Sequence, residues 1–267
     1  MYDDLAPALL VEVEGPLRIV SLNKPEQLNA MSDDLHDAVS EVWHRLATDY
    51  DAMAVILRAN GRAFCSGGYL PNFVRDAADP VHRRRGIRAA ERLARAMMAC
   101  ELPVVAAVNG PAIGLGCTLA VMSDLVVMSE DAHFADSHVN VGLVAGDGGA
   151  VTWPLLIGML RAKEYLLLGD KIPAEEALRI GLANRVVPAD ELMDTARELA
   201  DRLMAQPVQA LRDTKRALNK HLQAAADLVL DFALAAEGES FASDDVRRIA
   251  QQFVDDRDAR RAAKRDG

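Results

Sequence analysis

Residues 104–108, Val-Val-Ala-Ala-Val, are five consecutive apolar residues, three of them valine, ended by Asn109-Gly110-Pro111. A short apolar run bounded by turn residues reads as a strand buried on both faces. Two more glycines, Gly114 and Gly116, precede an apolar run that turns helical at about Cys117. A glycine-rich turn entering a helix leaves backbone N–H groups without intrahelical partners, at the positive end of the helix dipole. Such a turn can hold developing negative charge. The same glycines also suit a turn that only packs, so this segment alone leaves both readings open.

A second segment of the same kind lies upstream. Val55-Ile56-Leu57-Arg58-Ala59 is another short buried strand, followed by Asn60-Gly61-Arg62-Ala63-Phe64-Cys65-Ser66-Gly67-Gly68. Two strand-then-glycine turns can each give one N–H to a shared oxyanion. Neither is a phosphate loop, because GxxxxGK[ST] and the GxGxxG spacing are both missing.

Taken together, Gly61-Arg62-Ala63-Phe64-Cys65-Ser66-Gly67-Gly68 and Asn109-Gly110-Pro111-Ala112-Ile113-Gly114-Leu115-Gly116-Cys117 resemble the crotonase (enoyl-CoA hydratase/isomerase) superfamily. The resemblance continues through Ser21 to Ala30, Ser123-Asp124-Leu125, Gly142-Leu143-Val144, Gly148-Gly149, Leu168-Gly169-Asp170, Ala174 to Ala177 and Gly181 to Pro188. It implies an α/β fold, a spiral of ββα units over residues 1–200, with a C-terminal helical region at 201–267 that covers the site and builds a homotrimer or a dimer of trimers. It also implies enolate chemistry on an acyl-CoA or enoyl-CoA thioester, with CoA carried by the substrate and no further cofactor.

Composition agrees with that class. The chain has 267 residues, 51% hydrophobic, enough for a sizeable core, and a net charge of −10 that disfavours nucleic acid as a partner. Three cysteines at unrelated positions suggest no disulfide framework and a reducing compartment. No basic leader or 18-residue apolar run stands in the sequence, so a cytoplasmic protein with no membrane partner is expected.

In chain order, Leu9–Val13 and Leu17–Leu22 flank Glu14-Gly15-Pro16 as a hairpin. Ser32 is a good N-cap for a helix burying Leu35, Val39, Val42, Trp43 and Leu46. Residues 69–82, with Pro71 and Pro80 and little periodicity, are expected to form a mobile loop over the site. The helix at 83–100 carries six arginines that could meet CoA phosphates, although such a run is more often a solvated face pairing with acids.

The resemblance makes the oxyanion donors the N–H groups of Gly68 and Leu115. Typical hydratases of the family add two glutamates, and the matching positions here hold Thr118 and His138. Thr118 cannot be a base near neutral pH, though its hydroxyl could orient water or substrate. An imidazole can carry a proton either way, and Asp136 could orient His138. Asp147, between Gly146 and Gly148, is either an N-cap or a catalytic base; several isomerases and a dehalogenase of the superfamily have an aspartate one residue earlier in that loop. His133 and His138 do not read as a metal pair, since no third ligand falls at a recognisable spacing. The resemblance also assigns CoA and substrate contacts to Lys24, Ala63, Ser66, Gly68, Tyr69, Leu70 and Leu115, with Trp153 and the C-terminal helices setting pocket depth. Hydration and double-bond isomerisation lead. Decarboxylation, dehalogenation, thioester hydrolysis, or a non-catalytic acyl-CoA-binding role are the alternatives.

Overall fold

The computed structural model describes residues 1–263. β1 (Leu9–Glu14) and β2 (Leu17–Leu22) pair antiparallel, and Gly15 closes their turn at a φ of +55°. α1 (Asp33–Leu46) buries the stripe expected of it, Leu35, Val39, Val42, Trp43 and Leu46. Ser32 precedes it without capping its backbone; the hydroxyl donates to Asp34 Oδ1 at 2.6 Å instead. β3 (Ala54–Ala59) follows.

Residues 69–82 are not a loop. They form α2 (Leu70–Ala78) and the start of α3 (Pro80–Ala99). The two prolines that break the periodicity stand in first turns, where proline costs a helix no hydrogen bond. Between the helices, the Asp79 carboxylate accepts from the Val81 and His82 N–H groups and caps the second.

The middle of the chain supplies β4 (Val104–Val108), β5 (Ala112–Ile113), α4 (Leu115–Val121), β6 (Leu125–Ser129) and β7 (His133–Ala135). Next come α5 (Gly149–Ile157), α6 (Met159–Leu168), β8 (Ile172–Pro173), α7 (Ala174–Ile180) and β9 (Arg185–Val187). Three helices end the described chain: α8 (Leu192–Met204), α9 (Val208–Ser240) and α10 (Asp244–Ala263).

One sheet has the order β1-β2-β3-β4-β6-β9, parallel except for β1, and a smaller sheet has the order β5-β7-β8. Both faces of β4 are covered, as its composition requires. Val105 and Ala107 share a core with Ile19, Ile56 and Val127 and with Leu192, Ala196 and Leu199 of α8. Val104, Ala106 and Val108 alternate to the other face, into the larger core with Val39, Trp43, Leu93 and Met97.

At 33 residues α9 is about 50 Å long. Its buried stripe is Ala226, Leu230, Ala233, Leu234 and Glu237, whereas Leu218, Leu228 and Phe232 face outward. Trp153 is fully buried in the larger core, edge-on to Tyr165, and does not line the cavity described below. Among the described residues no helix is long and apolar enough to cross a membrane. Two of the six arginines of α3 meet acids, Arg85 with Asp37 and Arg95 with Glu91, Asp227 and Asp231, while Arg83 donates to the Asp76 and Ala77 carbonyls.

Candidate active site

The two glycine turns are fastened to each other. Cys65 pairs with Ala112, its N–H donating to the Pro111 carbonyl at 3.1 Å while the Ile113 N–H donates to the Cys65 carbonyl at 2.8 Å. Gly114 takes φ +50° and ψ −121°, which side-chain-bearing L residues avoid. A Cβ on Gly116 would lie 2.6 Å from the Cys65 Cβ. The glycines are therefore required by packing, and that same packing aims the backbone.

Gly114 itself donates to the Ala135 carbonyl at 2.9 Å, and Thr118 donates to the Gly114 carbonyl. The N–H of Leu115, first in α4, and the N–H of Gly68 donate to no other backbone group. Both residues line one cavity, together with Met31, His36, Tyr69 and Phe73. The helix thus starts at Leu115, two residues before Cys117, and the Leu115 N–H is its first.

Facing these donors is a chain of ionisable side chains, all buried. Asp136 Oδ1 lies 2.5 Å from His138 Nδ1, and His138 Nε2 lies 3.3 Å from Asp147 Oδ2. Thr118 donates its hydroxyl to the other Asp147 oxygen at 2.9 Å. The strand that was expected to leave Asp136 and His138 without guaranteed contact ends at Ala135, so the chain turns between them and brings the two together. Asp147 does not cap α5; Gly148 stands at that position, and the carboxylate is spent on Thr118 and His138. A Cβ on Gly149 would collide with the Asp136 carboxylate, so this turn is built around the same cluster.

Burial alone would lower the pKa of His138, but the two carboxylates beside it outweigh that and hold it well above the usual histidine value.

Two cavity residues gave no signal in the sequence. Glu237, from the C-terminal part of α9, is 7% exposed, and its Oε2 has no hydrogen-bond partner. Burial, and the negative charges of Asp147 and Asp136 against the opposing pull of His138, push its pKa up to about 8. His36, from α1, lines the same cavity, and burial draws it below the usual histidine value. A lone Glu or His on a helix reads as surface until the fold turns that face inward.

The other expected contacts are more scattered. Tyr69 lines the cavity beside Gly68. Lys24 is ion-paired to Asp34 at 2.7 Å and lies off the cavity. Ala63 is buried with its carbonyl accepting from Asn29 Nδ2, the Ser66 N–H donates to the Leu28 carbonyl, and Leu70 opens α2; none of the three lines the cavity. Thr118 does not line it either.

Asp136, His138 and Asp147 have ligand atoms within 4.8 Å of one another, and His133 is not among them. With each imidazole nitrogen turned to a different carboxylate, the arrangement is that of a proton relay. The three cysteines are free and buried, and burial pushes Cys65 up to about 12, which makes it a poor nucleophile.

A family model described as enoyl-CoA hydratase/isomerase matches residues 12–262. The chain is 34% identical to a short-chain-enoyl-CoA hydratase of Clostridium acetobutylicum, over 93% of this chain and 95% of that one. It is similar to the crystal structure of an enoyl-CoA hydratase/isomerase from Mycobacterium paratuberculosis, with a TM-score of 0.89 and 45% identity over 92% of this chain and 98% of the other. It is also similar, with a TM-score of 0.83 and 27% identity over 90% and 96% of the two chains, to a beta-diketone hydrolase of the cyanobacterium Anabaena bound to (S)-3-oxocyclohexyl acetic acid.

Proposed function

The chain belongs to the enoyl-CoA hydratase/isomerase family, and we propose that within it the Gly68 and Leu115 N–H groups hold a thioester enolate while the His138–Asp147 pair moves the proton. One observation carries this reading. Two backbone donors with no other backbone acceptor open on the same cavity as a buried, carboxylate-flanked imidazole. Two N–H groups aimed at a developing oxyanion in a water-poor site supply the electrostatic stabilisation that enolate chemistry needs.

Where hydratases of the family carry two glutamates, this chain has Thr118 and His138. Isomerisation needs one base to take a proton from one carbon and return it to another, which suits a site with a single relay. Hydration fits if the same relay takes a proton from water. The acyl group passes Tyr69, and the CoA end runs toward Lys24, Ala63, Ser66 and Leu70. The protein assembles as a homotrimer or a dimer of trimers, a reading supported by the outward-facing Leu155, Leu160, Leu167, Leu168, Leu228 and Phe232. Free cysteines suit a cytoplasmic setting.

A second reading, hydrolysis of a carbon–carbon bond between two carbonyls, is favoured by the relay itself. The Asp147 carboxylate, held in the cavity by Thr118 and His138, can draw a proton from water, and the Anabaena neighbour is a beta-diketone hydrolase. Water would add to one carbonyl, the bond to the carbon between the carbonyls would break, and the electron pair would be held as an enolate by the same two N–H groups.

Deuterium incorporation from heavy water into short 2-enoyl-CoA, 3-enoyl-CoA and saturated acyl-CoA thioesters tests the first reading. Incorporation with 3-hydroxyacyl product means hydration, and incorporation with only a moved double bond means isomerisation. Absence of both, with cleavage of a cyclic 1,3-diketone to a keto acid, selects the second reading. Activity on neither class would overturn both.

A further inference from the structure

Glu237 has no part in the relay described above, yet it is the group with the least reason to be buried. Its carboxyl lies in the cavity with His138 and Asp147, and its Oε2 finds no donor among the described residues. A buried oxygen without a partner is costly when charged and tolerable when it carries a proton. The chain also keeps room for it: a Cβ on Gly146 would run into the Glu237 carboxyl oxygen and lie 2.8 Å from the Ala233 carbonyl. One turn further on, Phe241 packs edge-to-face on Phe73 at 5.0 Å, closing that side with apolar rings.

Charged neighbours explain why the proton stays. Asp136 and His138 face Glu237 from the segment after β7, and Asp147 from the loop before α5. Ile87 of α3 packs beside the neighbouring Gly238, and the cavity is also lined by Asp33, His36 and Asp37 of α1, Asp76 of α2, and His82, Arg83 and Arg85 of α3. Asp136 and Asp147 both oppose ionisation of Glu237, against the opposing pull of His138. Ionising Glu237 would place a further negative charge on a buried oxygen that has no donor among the described residues.

We propose that Glu237 is the general acid of this site, giving its proton to substrate while the His138–Asp147 pair takes one. The inference rests on the enolate reading and assigns its second proton. In hydration, the His138–Asp147 pair takes a proton from water and the hydroxide bonds to the β-carbon of the enoyl thioester. The C=C electrons move toward the thioester oxygen, held by Gly68 and Leu115. Glu237 then gives its proton to the α-carbon, and the enolate returns to a thioester. The site now holds a Glu237 carboxylate and one extra proton on the pair. Passing that proton back to Glu237 restores the start, and one water has been added.

The test compares wild type with Glu237→Gln, which keeps shape and removes the transferable proton, and Glu237→Asp, which keeps the proton but draws it back. Infrared difference spectra of wild type minus Glu237→Gln at pH 7 should show the C=O stretch of a protonated carboxyl. It should shift on adding 2-butenoyl-CoA and vanish above about pH 8. Turnover of 2-butenoyl-CoA should fall about 10²-fold or more in Glu237→Gln and less in Glu237→Asp. Glu237→Gln should also lose the alkaline limb of the wild-type kcat/KM profile. If the glutamine variant does not fold, the carboxyl band in wild-type spectra and the displaced alkaline limb in Glu237→Asp decide.

A Glu237→Gln enzyme within threefold of wild type with the same pH profile, or no protonated-carboxyl band at pH 7, overturns the proposal. His138→Ala separates the two readings. If it abolishes exchange while Glu237→Gln is silent, the enolate reading stands and the role of Glu237 falls. If His138→Ala is silent too, both fall.

Discussion

Thr118 donates its hydroxyl to Asp147 Oδ1 at 2.9 Å, with both side chains buried. Thr118 thus does not line the cavity; it holds the carboxylate that does. Thr118→Val keeps the shape and leaves that oxygen without its donor, at a cost of about 1–3 kcal/mol. Thr118→Ser keeps the donor. Unfolding by denaturant and turnover should both separate the two variants, and equal behaviour would mean the hydroxyl is idle.

The relay is tested by His138→Ala and Asp147→Ala, each expected to lower turnover or proton exchange about 10²-fold or more. Asp136→Asn is the finer probe. Removing one of the two negative charges beside the imidazole weakens its hold on the proton, so the His138 titration followed by NMR should move to lower pH. A titration that stays in place would show that Asp136 only positions the ring.

Stability should fall as pH rises through neutrality. Glu237 keeps its proton in the folded protein up to about pH 8, whereas the unfolded chain releases it near 4.5. The stabilisation is full below about pH 4.5 and is lost as pH climbs toward 8. His138, also held above its ordinary value, adds to the loss from about pH 6.5 upward. Denaturant unfolding at pH 5.5 and 8.5 should show a smaller difference for Glu237→Gln than for wild type; an equal difference would place the titration elsewhere.

Gly114→Ala should weaken both stability and turnover. The backbone there is at φ +50°, and the new methyl would sit 3.4 Å from His138 Cε1. Strain of this kind costs on the order of 1–3 kcal/mol, and any relaxation moves the neighbouring Leu115 N–H. Gly86→Ala in α3, where a Cβ meets nothing within 4 Å, is the control and should leave both unchanged or slightly improved.

Much of the fold was legible because its signals are local. Val104–Val108 showed its double burial by lacking any polar alternation, and Gly181 after Ile180 announced the end of α7. The helical nature of residues 69–82 was not legible, because Pro71 and Pro80 look the same as breakers or as first-turn residues until the chain around them is placed. The two glycine turns, His138 and Asp147 could be picked out of the sequence, but their contact could not. That depends on the 3₁₀ turn at His138–Val141 and on close packing at Gly148 and Gly149. Glu237 and His36 were invisible for a different reason. Each is one polar residue on a long helix, and only tertiary packing decides which way it faces.

The interlock of the two glycine turns through Cys65 has an implication for how such a site diversifies. On the reading proposed above, the electrophile cradle is main chain, braced by the buried Cys65. The proton-handling side chains come from separate places: α4, the segment after β7, the loop before α5, and α9. Substitutions at any of those four leave the cradle standing. A lineage can exchange its acids and bases one at a time, trying new reactions on an activated carbonyl it never has to learn to bind again.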